Sequence, residues 1–474
     1  MDVRPHLALI ATGMQAWREY LVESIAREYR IHLFAKSEPS WELGYVDGAT
    51  VVNTLEPDLA IAAARAVHDT DPFDGVLCWD EARIWPTACV AEALGLPGVS
   101  PEVVERCRDK HLSRTALAAA GVPQPESVAV ASLEEAVREA DRIGYPVVVK
   151  PRALAASVAV IVVESPELLP DAYERVRGTT LPEVEEYEYG VLVEECLRGE
   201  EISIDSAVFD GKVVPLYLAH KRKGYEPFCE EVGHLLLADD PLLRDPALIR
   251  VLEDTHAALG FHTGMTHTEI FLTDSGPRVV ELNGRLGGDF IPYLGGRITG
   301  VDAGLAAAAV AVGRTPSLEP TRTGVAAVEF YYPEVATVFG ALRVDESLLH
   351  PATDKIVPIA QPGELVERAE DGYMWARYAA ALVIGDSEDE CRAALDAAAK
   401  AITLEPAPPG TASVPAGPAM SGAPSEPTPM ATWRRTAEPA KPAKPAEPAE
   451  PAEPAEPAEP AEPAEPAEPA GSAG

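Results

Sequence analysis

Residues 268–285 read Thr268-Glu269-Ile270-Phe271-Leu272-Thr273-Asp274-Ser275-Gly276-Pro277-Arg278-Val279-Val280-Glu281-Leu282-Asn283-Gly284-Arg285. Two strand-like runs flank Thr273-Asp274-Ser275-Gly276, so the stretch is predicted to be a β-hairpin. If that turn closes it, Glu269 lies opposite Glu281, and Asn283, two residues on, shares their face. Facing carboxylates repel, and an amide beside them adds no compensating charge, so the cluster makes sense with a cation present. Oxygen-only ligands suit magnesium, with manganese as an alternative. The competing reading is a solvated hairpin face, on which Glu is common. Against it stand the apolar neighbours of both carboxylates and the Gly284-Arg285-Leu286-Gly287-Gly288 run that follows.

Working outward, basic residues occur where an anion could be held. Lys150 ends the apolar run Pro146-Val147-Val148-Val149, and Pro151 stops the strand after it. An ammonium at that end suits a phosphate, although a strand-end Lys is more often a solubilising cap. Asp109-Lys110-His111 opens a helix, and Lys110 reads equally well as an exposed first-turn residue. Between Val191 and Glu201, two strands are joined through a turn containing Gly199. Its backbone could read an adenine edge, and a following carboxylate could take ribose hydroxyls.

The whole chain has 474 residues and a formal charge of −37. From Leu404 onward, eleven Glu stand against two Lys and two Arg, a net of −7, which leaves −30 on the preceding part. So acidic a surface disfavours nucleic acid and anionic membranes as partners. Any nucleotide must find its basic residues locally concentrated. Six scattered cysteines without a CxxC pair fit reduced thiols, and the longest apolar stretch, Gly300 to Gly313, is too short to span a bilayer. A cytoplasmic protein is expected.

The alternation of short apolar runs and amphipathic stretches over the first ninety residues is the rhythm of a parallel sheet. A smaller α/β unit follows, with strand Ser127–Val130, helix Leu133–Ile143, and strands over 146–150 and 158–163. Beyond it come a hairpin turning at Asp210-Gly211, a helix over 241–259, the hairpin above, an alanine-rich helix after Gly300, a β-rich segment over 324–384 and a helix around 387–399. The expected division is therefore 1–106, an N-terminal α/β domain; 107–197, linker helices and a small lid; 198–318, a large antiparallel sheet with the metal face; 319–403, a β-rich completion; and 404–474, a tail. The tail becomes an Ala-Glu-Pro repeat with nothing to bury, and a disordered or polyproline-II spacer is expected, with docking of a proline-binding partner as the alternative.

Taken in order, Gly95-Leu96-Pro97-Gly98, Asp109-Lys110-His111, Gly121-Val122-Pro123, Val149-Lys150-Pro151, Glu194-Glu195-Cys196-Leu197 with Gly199 and Glu201, and Glu281-Leu282-Asn283-Gly284-Arg285 resemble the ATP-grasp superfamily. Within it, residues 75–400 look most like carboxylate-amine ligases that include bacterial L-amino acid (dipeptide) ligases. The resemblance implies an α/β fold with a lid and a large antiparallel sheet, ATP and magnesium as cofactors, and a small-molecule carboxylate and an amine as substrates. A homodimer is compatible with it. It also implies Lys110 and Lys150 on the phosphates, Glu194 on the adenine amino group, backbone contacts from Glu195 and Leu197, and Glu201 on the ribose. Glu269, Glu281 and Asn283 would hold magnesium, and Arg285 would face the phosphoryl group and the substrate carboxylate.

The phosphate loop departs from the pattern: Arg152-Ala153-Leu154-Ala155-Ala156-Ser157-Val158 has no glycine, leaving Ser157 as the obvious donor. The segment containing Lys221 and Glu230, running on to His234, resembles the one lining the amino acid pocket of dipeptide ligases. His267 reads either as a substrate contact or as a structural histidine. The rivals are a carboxylase or purine-biosynthesis ligase on the same fold, and a nucleotide-binding regulator without turnover.

Overall fold

The computed structural model describes residues 3–154, 157–179 and 190–415. The tail expectation, except for its first residues, and Ala155 and Ala156 of the phosphate loop lie outside them. No described helix is long and apolar enough to cross a membrane.

Strands β1 (His6–Ile10), β2 (Arg30–Ala35), β3 (Gly48–Val51) and β4 (Gly75–Leu77) pair in parallel in the order β3-β2-β1-β4. All five residues of β1 are buried, as a parallel strand covered on both faces requires. Leu7 and Leu9 pack with Leu21, Val22 and Ile25 of α1 (Gln15–Glu28), while Ala8 and Ile10 pack with Ala60 and Ala64 of α2 (Pro57–His68). Helices α3 (Ile84–Leu94), α4 (Pro101–Arg108) and α5 (Lys110–Ala120) lead out of this layer.

The small lid is a four-stranded sheet in the order β5-β8-β6-β7, from β5 (Ser127–Val130), β6 (Val147–Pro151), β7 (Ile161–Val163) and β8 (Val191–Glu195). Its first helix, α6 (Leu133–Ile143), starts with a capping box: Ser132 accepts from the Glu135 N–H, and Glu135 accepts from the Ala131 N–H. β7 begins three residues later than the sequence suggests. Ser157 and Ala159 adopt positive φ, and the Val160 N–H bonds to the Ser157 carbonyl, so 157–160 make a turn.

The large sheet has eight strands in the order β13-β12-β9-β10-β11-β14-β18-β16. They are β9 (Glu200–Phe209), β10 (Lys212–Gly224), β11 (Glu230–Leu237), β12 (Gly264–Thr273), β13 (Gly276–Asn283), β14 (Val325–Tyr331), β16 (Thr353–Pro358) and β18 (Ala379–Gly385), while β15 (Thr337–Val344) and β17 (Glu364–Val366) pair with each other in a separate small sheet. Thus β14, β16 and β18 of the β-rich segment extend the sheet that carries Glu269 and Glu281 rather than forming a separate one. The helix expected over 241–259 is split: Pro241–Arg244 is a 3-10 turn, and Asp245 caps a new helix, Pro246–Leu259. Proline at 246 disfavours helical backbone at Asp245, which therefore becomes the cap. The alanine-rich helix Ala303–Ala311 crosses α1 closely, because a Cβ on Gly304 would stand 2.5 Å from Ser24 Oγ. Order continues past residue 403 through a strand Ile402–Pro406 on β15 and a short pair of residues, Val414–Pro415, beside β17.

Candidate active site

The hairpin β12–β13 pairs Glu269 with Glu281 and His267 with Asn283. Asn283 Nδ2 donates to Glu281 Oε1 at 2.9 Å. Each carboxylate also meets an ammonium: Glu281 Oε2 is 3.0 Å from Lys110 Nζ and Glu269 Oε2 is 3.0 Å from Lys221 Nζ. Burial pushes both carboxyls up, but Lys110 and Lys221 respectively more than offset it, and both are held below their ordinary values. Two carboxylates held in their charged form and an amide oxygen on one face fit a hard dication such as magnesium.

Lys221 is enclosed by three carboxylates. Its Nζ lies 3.2 Å from Glu201, 3.0 Å from Glu231 and 3.0 Å from Glu269, and its side chain has no exposed surface. Burial disfavours its charge, yet these three neighbours raise it well above the usual lysine value. Lys223 Nζ takes the other oxygen of Glu201 at 2.8 Å.

Across the lid, Lys150 is buried rather than a solvated strand cap. Its Nζ is 2.6 Å from Glu194 Oε2, and Arg114 meets the same carboxylate through Nε at 2.8 Å and Nη2 at 3.2 Å. Burial raises Glu194, but Arg114 and Lys150 outweigh it and hold it at about 2. A carboxylate has about four acceptor sites, so these three donors leave room for one more. Glu195 is clamped by Arg278 at 2.6 and 2.7 Å, and Leu197 lies half-buried in the loop that follows β8. Asp109 caps α5 and receives both arms of the Arg152 fork, which brings Lys110 Nζ within 2.6 Å of the Leu154 carbonyl in the phosphate loop. Ser157 Oγ lies 3.4 Å from Glu231 Oε1.

A second cluster adjoins the first. His234 Nε2 is 3.1 Å from Asp289 Oδ2 and 3.5 Å from Glu231 Oε2. Arg377, buried and stacked 4.0 Å over the Phe330 ring, donates to Asp289 at 2.7 Å and to the Glu231 carbonyl at 2.8 Å, and its Nη2 lies 3.2 Å from Glu230. Tyr332 donates to Glu230 at 2.5 Å. Burial pushes the Glu230 carboxyl up to about 7 despite Arg377 and Tyr332. Glu230 therefore carries a proton below that pH. Its contribution to stability is complete below the unfolded carboxyl value and is lost as pH rises through 7. Glu230→Gln, which keeps the shape and remains neutral, is expected to remove this group's share of the fall in stability between about pH 4.5 and 7. Thermal unfolding of parent and variant across that range checks this, and identical slopes would refute it.

Arg285 extends from the strand end with Nε 2.6 Å from Glu81 on the N-terminal layer and Nη1 on the Leu286 carbonyl at 2.9 Å. His267 turns Nδ1 to Asp205 at 2.6 Å and Nε2 to Glu269 at 3.6 Å. Burial lowers its basicity, but Asp205 and Glu269 more than reverse that, to about 9. The ion pairs thus join Lys110 to Glu281, Lys150 to Glu194, and Lys221 to Glu201, Glu231 and Glu269, whereas Glu195 faces Arg278. Asp205, Asp289, Tyr332 and Arg377 had no signal in the sequence. Glu231 and His234 lay in the segment already singled out.

Residues 143–292 match the ATP-grasp domain family and residues 32–98 the ATP-grasp N-terminal domain family. The fold is ATP-grasp. Over 86% of its length the chain superposes on the whole of an L-amino acid ligase from Bacillus licheniformis with a TM-score of 0.72, at 21% identity. In sequence it is 28% identical over 242 residues to alanine–anticapsin ligase of Bacillus subtilis strain 168, covering 47% of this chain and 50% of that protein. It is 36% identical over 138 residues to D-alanine–D-alanine ligase of Clostridium perfringens, covering 28% and 42% respectively. The chain spans about half the length of the curated relatives it matches.

Proposed function

We propose that the chain is an ATP-dependent carboxylate-amine ligase acting on amino acids. The carboxylate of one would attack the γ-phosphate, and the amine of the second would displace phosphate from the acyl phosphate, leaving ADP, phosphate and an amide. One observation carries this reading: Lys221 joins Glu201, Glu269 and Glu231, so the proposed ribose, metal and substrate ligands meet in a single buried ion network. The names of relatives that ligate alanine support it.

In this reading Glu269, Glu281 and Asn283 hold magnesium, which when bound neutralises charge on the phosphate oxygens. Lys110, Lys150 and Ser157 meet the phosphates. Glu194, Glu195 and Leu197 surround the adenine, and Glu201 takes the ribose. Arg285, kept in place by Glu81, orients the substrate carboxylate and stabilises the transferring phosphoryl group. Glu231, His234 and Asp289 offer ring and carboxylate atoms within 4.8 Å of one another, a size suited to a substrate ammonium. Lid closure excludes the water that would hydrolyse the acyl phosphate.

The test is a matrix of amino acids and amines scored by phosphate release and product mass. ADP and phosphate equal to amide are expected, with hydroxylamine intercepting the activated acid as a hydroxamate. AMP accumulating with product would reject the acyl phosphate route and the roles given to Glu269, Glu281, Asn283 and Arg285.

Lys150→Ala is expected to weaken ATP binding by about tenfold, since the charge acts on nucleotide in ground and transition states alike. Arg114 keeps Glu194 paired in the variant, so the fold survives. Calorimetry with ATP reads this, and an unchanged affinity removes Lys150 from the site.

A further inference from the structure

Asp205 sits on β9 between β10 and β12 with no exposed surface. A carboxylate so placed is costly unless both oxygens are bonded. Oδ1 accepts from His267 Nδ1 at 2.6 Å, and Oδ2 accepts from the Gly287 N–H at 3.0 Å. The first partner leads to the metal face, because His267 Nε2 lies 3.6 Å from Glu269 Oε1. The second leads to the substrate side, because Gly287 is two residues beyond Arg285. Gly287 is also gripped from the opposite direction, its carbonyl accepting from Arg18 Nη1 of α1 at 3.1 Å.

The approach is close enough to require glycine. A Cβ at 287 would stand 2.7 Å from His267 Nδ1 and 2.8 Å from Asp205 Oδ1. No other buried carboxylate among the described residues bonds to both the His267 ring and the loop after Arg285.

We infer that Asp205 is a positioning residue: acting through His267 and Gly287, it fixes Glu269 and the Arg285 loop in one relative arrangement without touching nucleotide or substrate. This rests on the metal and carboxylate roles proposed above for Glu269 and Arg285. The carboxylate is suited to it because both oxygens accept. An amide of the same shape has one acceptor and one donor, so its own N–H must face either the Gly287 N–H or the Nδ1–H of His267.

The test is Asp205→Asn in the full chain. Manganese affinity, read by electron paramagnetic resonance at saturating non-hydrolysable ATP analogue, is expected to weaken about 10–100-fold, and kcat to fall by the same order. Nucleotide affinity without metal should stay at the parent value. His267→Gln should give a similar loss, and the double variant no more than the larger single loss, because the two act in series. A folded Asp205→Asn with parental manganese affinity and kcat overturns the inference, as do losses that multiply in the double variant. Should Asp205→Asn fail to fold, Gly287→Ala disturbs the same junction from the loop side, and parental values there overturn it equally. A parent that binds no manganese alongside the nucleotide would instead sink the metal assignment itself.

Discussion

Glu281→Gln is expected to lower turnover by at least about a hundredfold while the protein stays folded, the scale of loss seen when one preorganised charge-stabilising group is removed. The substitution keeps the side chain's shape and one oxygen acceptor, so Asn283 retains a partner. It takes away one of only two carboxylates on the metal face, which leaves Glu269 and an amide pair to hold a dication. Stability changes little because two effects oppose. Relief of the Glu269–Glu281 repulsion is favourable. Loss of the Lys110 ion pair is unfavourable but partial, since Lys110 also donates to the Leu154 carbonyl. Initial rates of phosphate release over a magnesium titration check this. A parental rate at saturating magnesium would reject the metal face, and a collapse of the melting transition would show that Glu281 serves structure instead.

The facing of Glu269 and Glu281 was readable because a hairpin has a period of two and a turn that fixes its register, so one turn sequence is enough to set one against the other. The lid helix was readable for a similar local reason, the Ser132–Glu135 capping box. Environment was harder. Lys150 and Lys221 look like solvated residues in a one-dimensional reading, yet both are buried, because their partners Glu194, Glu201, Glu231 and Glu269 arrive from other strands. Asp205 follows Ser203 at alternate positions of β9, the pattern of a solvated strand face. Both are buried because β9 lies inside an eight-stranded sheet. Arg377 lies 88 residues from Asp289, in an irregular stretch with no period to betray it. What the sequence could not carry was therefore the long-range pairing of charges, which decides whether a polar residue faces water or a site.

Removal of the central ammonium is expected to have the largest effect on stability. Lys221→Met keeps length and apolar stem but leaves Lys223 beside Glu201, His267 beside Glu269 and His234 beside Glu231. Breaking a buried pair by removing one partner costs about 3–5 kcal/mol, since the other charges stay behind uncompensated. The sign of the pH dependence should also reverse. In the parent, Glu269 is held below its ordinary value, so its contribution is present above the unfolded carboxyl value and is lost as pH falls. In the variant, Glu269 loses the largest influence holding it down and burial weighs against its charge, so its contribution shifts toward low pH and is lost as pH rises. The gap between parent and variant should be widest near pH 8 and narrow toward about pH 5. Magnesium provides a second reading, because a dication on Glu269 supplies part of the missing charge. Millimolar magnesium should raise the melting temperature of Lys221→Met more than that of the parent. Equal stability of the two proteins from pH 5 to 8 would show that Lys221 is not the hub of the network. Equal increments with magnesium would instead take Glu269 out of the metal site.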